Sequence, residues 1–217
     1  MCLIVLAWQK LSDYPLVVAA NRDEFHGRPA APAAFWPDQP AILAGRDLEA
    51  KGTWMGVARN GRFAAVTNYR GATEPRAAES RGALVSRFLA GNGEPETYLK
   101  SIKPGQYSGF NLLVADQELW SMSNRDGPPR RLEAGLYGLG NTLLDAAEVD
   151  RPKERFATAL GPAVEPLFTL LAESKIVNER YGTRCSTVLI KAKNGIRYAE
   201  RSFSPDGAGQ ETLHYEF

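Results

Sequence analysis

The chain has 217 residues, 44% hydrophobic and 24% charged, and its 26 Lys and Arg against 25 Asp and Glu leave a net charge of +1. That balance excludes the basic footprint of a nucleic-acid-binding protein or a polybasic membrane anchor, and the length suffices for a core needing neither disulfide nor metal. Two cysteines are too few for a secreted disulfide scaffold and point to a cytoplasmic setting. No apolar run reaches the ~18 residues of a membrane span, and the start Met-Cys-Leu-Ile-Val-Leu-Ala-Trp lacks the basic flank of a signal peptide.

Residues 2–8 are apolar at both parities, which predicts a strand covered on both faces. Residues 16–20 are a second such run, and Ser12-Asp13-Tyr14-Pro15 joins the two as a hairpin. From 25 to 40 the chain is rich in Pro and Ala and reads as a long irregular loop. Strands at 53–59 and 62–67 flank Asn60-Gly61, a hairpin turn. Helices follow at 80–89, with Leu84, Val85, Phe88 and Leu89 at helical spacing and Ser80 as N-cap, and at 95–103 behind Pro95. Strands return at 109–115, 118–123 and near 135–139, while Pro-Pro-Arg-Arg at 128–131 reads as a solvated turn. A helical block over 152–173 is interrupted by Gly161-Pro162. Strands at 184–191, 196–203 and 211–216 close the chain, the first two joined by Asn194-Gly195. Hairpin-joined strands interleaved with helices indicate an α+β fold of antiparallel sheets covered by helices, in a single domain over 1–217.

Chemistry concentrates at the second position. Initiator Met is removed when a small residue follows, which would leave Cys2 carrying a free α-amine beside its thiol. The amine titrates near ~8 and the thiol near ~8.5, so the first can accept the proton of the second. The plainer alternative is a small apolar filler in a buried strand. Polar residues end several apolar runs: Asn21-Arg22-Asp23-Glu24, Asn68-Tyr69-Arg70 and Asn141-Thr142. Each is a turn signal alone; together they would gather amide side chains at strand ends. Asn124 ends another run and reads as a turn. Asn21 and Asp23 share strand parity and are expected to face Cys2, with Arg22 and Glu24 facing away. Arg184 suits a thiolate, a carboxylate or phosphate, or a plain surface ion pair. Trp36 and Trp54 read as core or pocket lining. His26, His214 and two distant cysteines give no metal-ligand spacing, and neither a phosphate loop nor a Gly-x-Ser-x-Gly elbow is present.

Six segments stand in order over essentially the whole chain: Met1-Cys2, Asn21-Arg22-Asp23-Glu24, Gly52-Thr53-Trp54-Met55-Gly56, Thr67-Asn68-Tyr69-Arg70, Gly138-Leu139-Gly140-Asn141 and Gly182-Thr183-Arg184. This set resembles the NRDE-motif family, also called the transport and Golgi organization family. That family is similar in turn to the N-terminal-nucleophile hydrolases, especially the bile-salt hydrolase and penicillin V acylase group. The resemblance implies a four-layer αββα sandwich. It implies that Cys2 attacks an amide carbonyl and that Asp23 holds the α-amine. Asn68 and Asn141 would form the oxyanion hole and Arg184 would complete the polar cluster, with Asn21, Arg22, Trp54, Tyr69 and Arg70 contacting the substrate. The hydrolases carry an arginine, in an Arg-Asn-x-Asp pattern, where Ala20 stands here; Arg22 is expected on the opposite parity.

Two functions follow. One is a cysteine N-terminal-nucleophile amidohydrolase cleaving the C–N bond of a small amide without a cofactor. The other is a non-catalytic protein on the same fold that binds or traffics a small ligand, haem or lipid-like. For haem, Cys2, His26 or His214 would be the iron ligand, although no Cys-x-x-Cys-His attachment signal occurs.

Overall fold

A computed structural model describes residues 2–71 and 77–217, so Met1, whose removal the sequence suggests, lies outside the described residues. The chain divides into two compact units. One comprises Met1–Arg28, Ala134–Gly140 and Leu144–Phe217, the other Pro29–Glu133 and Asn141–Leu143. Strands are numbered β1–β13 and helices α1–α4 along the chain.

The first unit holds a six-stranded antiparallel sheet. Its strands are β1 (Leu3–Leu11), β2 (Tyr14–Phe25), β10 (Gly135–Leu139), β11 (Tyr181–Ala192), β12 (Gly195–Phe203) and β13 (Gly209–Glu216). They lie in the order β10-β1-β2-β11-β12-β13. Helices α3 (Asp150–Ala159) and α4 (Val164–Glu173), separated at Gly161-Pro162 as expected, cover one face. There Leu3, Val5, Val17, Ala19, Val188 and Ile190 form a core with Phe156, Leu167, Phe168 and Leu171. Each such side chain larger than alanine contributes about 2 kcal/mol by burial. The opposite parity, Ile4, Leu6, Leu16 and Val18, is buried as well, in keeping with the unbroken apolar runs.

β2 extends five residues past the apolar run that announces it. Asn21-Arg22-Asp23-Glu24 lies within this strand rather than beyond its end. The cause is pairing, with Leu3 of β1 opposite Asn21 and β11 continuing alongside as far as Tyr181 opposite Phe25. Backbone hydrogen bonding from these neighbours outweighs the low strand propensity of Asn and Asp.

The second unit holds a seven-stranded antiparallel sheet in sequential order, β3 to β9. These are β3 (Ala30–Trp36), β4 (Gln39–Asp47), β5 (Met55–Ala58), β6 (Phe63–Asn68), β7 (Phe110–Ala115), β8 (Leu119–Ser123) and β9 (Arg130–Leu132). Helices α1 (Arg81–Ala90) and α2 (Pro95–Ser101) pack against it, and the core includes Trp36, Ile42, Leu84, Phe88, Leu99, Phe110 and Leu112. Asn60-Gly61 makes the expected turn, with Gly61 at φ 86°. Ser80 stands at the N-cap of α1 but makes no capping hydrogen bond through its side chain.

Two expectations fail here. The stretch 25–40 is mostly the β3–β4 hairpin, not an irregular loop. β3 is an edge strand, where Pro32 is tolerated at a register shift between Ala31 and Ala34, and Ala33 and Trp36 are buried. Residues 130 and 131 belong to β9 rather than a turn, and Arg131 pairs with Glu118 and Glu133. Among the described residues no helix is long and apolar enough to cross a membrane.

Candidate active site

In the first unit, pairing of β1 with β2 carries the start of the chain to Asp23. The Cys2 thiol donates to the Asp23 carbonyl oxygen and accepts the Asp23 N–H, both at 3.4 Å. Burial pushes the thiol up to about 11, against the opposing Asp23 N–H; the Asp23 charge adds to the rise and Arg22 counters it. Part of the Cys2 surface nevertheless remains accessible.

Strand register corrects the expected orientations. Leu3, not Cys2, stands opposite Asn21. Asn21 therefore faces the helices, where its Nδ2 donates to the Leu171 carbonyl (2.9 Å) and its Oδ1 accepts from Ser186 Oγ (2.6 Å). Ala20 pairs with Thr187 and Arg22 with Cys185, so Ala20 and Arg22 share the other face, because side chains alternate with a period of two. Arg22 is buried there, one pleat repeat from the position that holds arginine in the resembling hydrolases. Asn21→Ala strands the Ser186 hydroxyl and removes one of the donors to Leu171. It should lower stability by about 2–3 kcal/mol in urea denaturation, as expected of an internal brace.

Asp23 is buried on β2, and its Oδ1 accepts a 2.6 Å hydrogen bond from the Thr183 hydroxyl. Tyr181 Oη donates to the Asp23 carbonyl (3.3 Å). Arg184 turns elsewhere. Its Nη1 donates to the carbonyls of Phe25 (3.0 Å), His26 (3.3 Å) and Arg28 (3.1 Å), closing the turn after β2. Burial, then the like charge of Arg22, hold its pKa below the usual arginine value. His26 Nε2 bonds to the Asn178 carbonyl (2.9 Å), and His214 is exposed on β13.

Asn68, Tyr69, Arg70, Trp54 and Asn141 belong to the second unit. Asn141 Nδ2 donates to the Asn68 carbonyl (2.8 Å), and the Asn141 carbonyl accepts the Arg70 N–H (2.6 Å). The side chain of Asn141 is thus engaged with backbone, while Asn68 is exposed at the end of β6. Trp54 lies over Gly45, where a Cβ would overlap its indole ring. Asn124 has the turn role read from the sequence, its Oδ1 accepting the Phe110 N–H (2.8 Å).

Two structural partners escaped sequence reading. Asn111 donates to Thr67 Oγ1 (3.1 Å) and the Thr142 carbonyl (2.7 Å), and its signal was a polar residue inside the apolar run of β7. Thr183, which grips Asp23, had only its place in the Gly182-Thr183-Arg184 motif. A cavity of about 690 Å³ lined by Val164, Glu165, Arg197 and His214 among others contains none of the residues expected to catalyse or to contact substrate, and only His214 of the candidate haem ligands. Among the described residues no cluster of three or more His, Cys, Asp or Glu could hold a metal ion.

Comparison with known proteins adds to this geometry. The family model described as Transport and Golgi organisation 2 matches residues 1–176. The mouse Transport and Golgi organization 2 homolog and the human Transport and Golgi organization protein 2 homolog are each 33% identical over 255 aligned residues, covering 94% of this chain and 92% of the relative. Among solved structures the chain is similar to the Caenorhabditis elegans N-acylethanolamine-hydrolyzing acid amidase ortholog, with TM-score 0.52, 11% identity, and coverage of 87% and 92% of the two chains. It is similar also to a mutant conjugated bile acid hydrolase from Clostridium perfringens, with TM-score 0.54, 9% identity, and coverage of 100% and 97%. At such identities the likeness shows the fold, which is that of the N-terminal-nucleophile hydrolases.

Proposed function

The chain belongs to the Transport and Golgi organisation 2 family, and we propose that it is a cysteine N-terminal-nucleophile amidohydrolase acting on a small amide once Met1 is removed. The seat of the Cys2 sulfur on the Asp23 N–H and carbonyl carries this reading, because it ties a thiol at the chain start to a buried carboxylate residue. With Met1 attached, a thiol raised to about 11 is ionised to roughly one part in ten thousand at pH 7. It needs a base. Removal of Met1 supplies one on the same residue, the α-amine.

In the proposed cycle the thiol proton passes to the amine as sulfur bonds to the amide carbonyl carbon. The C–N bond then breaks, and the ammonium returns a proton to the departing amine. Water, deprotonated by the same amine, adds to the resulting thioester, and release of the acid restores the thiol. The Asp23 carboxylate favours the ammonium form, and the Asp23 N–H steadies sulfur as charge grows on it. The fold neighbours lend support: one is a hydrolase of N-acylethanolamines, and the other a bile acid hydrolase whose cysteine at the second position was replaced by alanine.

Intact-mass analysis with a thiol-directed acylating probe tests the proposal. Protein lacking Met1 should gain one acyl group at neutral pH, and Cys2→Ala should gain none. Protein retaining Met1 should react at this residue only as pH rises toward about 11, since the reactive thiolate forms on deprotonation. An unlabelled Met1-free protein, or a Cys2→Ala variant that cleaves a small amide as well as the parent, would sink the idea.

A further inference from the structure

We infer that Thr183 is the positioning residue for Asp23, fixing the orientation in which its carboxylate serves the α-amine of Cys2. This rests on the reading of Cys2 as an N-terminal nucleophile.

The inference starts from an irregularity of β11. Thr183 pairs with Asp23, yet Cys185 pairs with Arg22, so two steps along β11 match one step along β2. Arg184 is the extra residue of a β-bulge. A regular strand would put Thr183 and Cys185 on one face. The bulge instead turns Thr183 to the face of Asp23 while Cys185 shares the opposite face with Arg22. Bulges re-aim single side chains in this way, and here the redirected side chain meets a buried carboxylate.

The direction of the hydrogen bonds is forced. The Ile176 N–H donates to Thr183 Oγ1 at 2.8 Å, and a backbone N–H can only donate. A carboxylate can only accept, so the single hydroxyl proton goes to Asp23 Oδ1, 2.6 Å away. Thr183 is itself buried and doubly tied to the segment after α4, because its own N–H donates to the Ile176 carbonyl at 2.9 Å. The hydroxyl thus has a fixed position and a fixed polarity. Oδ1 is committed as an acceptor, so the carboxylate is held in one orientation. Among the described residues, the charged and titratable groups near this position include Arg22 and Glu24 on β2, Tyr181 and Arg184 on β11, and Cys2.

The test uses Met1-free protein labelled with carbon-13 cysteine, in which the chain's two cysteines give two resolvable Cα signals. In the parent the Cys2 amine should titrate above its ordinary ~8, because an oriented carboxylate favours the ammonium. Thr183→Val, nearly isosteric, should lower that midpoint by roughly half a unit toward the value in Asp23→Asn. It should cut kcat about tenfold with KM little changed. Thr183→Ser should restore both. A merely structural threonine would lower the melting temperature of Thr183→Val without moving the amine. A folded Thr183→Val that titrates like the parent overturns the inference. Failure of the hydrolase reading appears separately, as a parent that forms no thioester whatever its amine does.

Discussion

Arg62→Ala should lose about 3–5 kcal/mol of stability, and Arg62→Lys should recover little of it. Arg62 follows the Asn60-Gly61 turn and is buried, an unusual place for a guanidinium. All three of its nitrogens are engaged: Nε donates to the Phe88 carbonyl (3.2 Å), Nη1 to Asp116 Oδ2 (3.0 Å) and Nη2 to the Gly93 carbonyl (2.9 Å). The group also stacks over the Phe88 ring, its central carbon 4.0 Å from the centroid. It thereby joins the last turn of α1, the segment that follows it and the β7–β8 turn, with its positive charge at the negative end of the helix. Truncation leaves two carbonyls short of a donor and opens a hole under the ring. Lysine has one compact charge and cannot reach three divergent acceptors. Differential scanning calorimetry should show a fall of roughly 6–20 °C for a chain of this size. A change under 2 °C would show that water replaces all three contacts.

The second large effect is expected at Gly52, where an added methyl group meets backbone rather than side chain. The Thr53 N–H donates to the Gly82 carbonyl (3.3 Å), drawing the strand-entry segment against the start of α1. A Cβ on Gly52 would lie 2.6 Å from the Gly82 oxygen and 2.8 Å from the Ala83 nitrogen, besides overlapping the Gly82 carbonyl carbon. Backbone cannot swing aside as a rotamer can, so relief requires moving the first turn of α1. Gly52→Ala should therefore cost about 3 kcal/mol, read as a lower denaturation midpoint at an unchanged slope. An unaltered midpoint would mean that α1 shifts freely. The motif containing Gly52 is in this respect a packing device, in which glycine permits two backbones to touch.

Much of the architecture was legible in the chain. Apolar runs at both parities announced β1 and β2, Asn60-Gly61 and Asn194-Gly195 placed two hairpin turns, and Gly161-Pro162 separated α3 from α4. The failures have a common cause. Pro32 and the alanines around it carry little local preference for a strand, so β3 exists because β4 pairs with it. Asn21 and Asp23 sit in a strand against their own propensity because β11 pairs with both and β1 pairs with Asn21.

The same division runs through the candidate site. Sequence alone named Cys2, Asp23 and Arg184 as chemically apt, since nucleophile, acid and cation are properties of side chains and of position in the chain. It could not say what each one touches. Register decided that Asn21 braces Leu171 and Ser186, and that Arg22 shares a face with Ala20. The bulge at Arg184 decided that Thr183 reaches Asp23, while Arg184 itself binds three carbonyls of the turn after β2. Local sequence determines which groups are available and which segments extend or coil, because those depend on near neighbours. The partner of each group depends on strand register and a one-residue bulge, set by β2–β11 pairings between residues more than 150 positions apart, and these form only when the whole sheet is assembled.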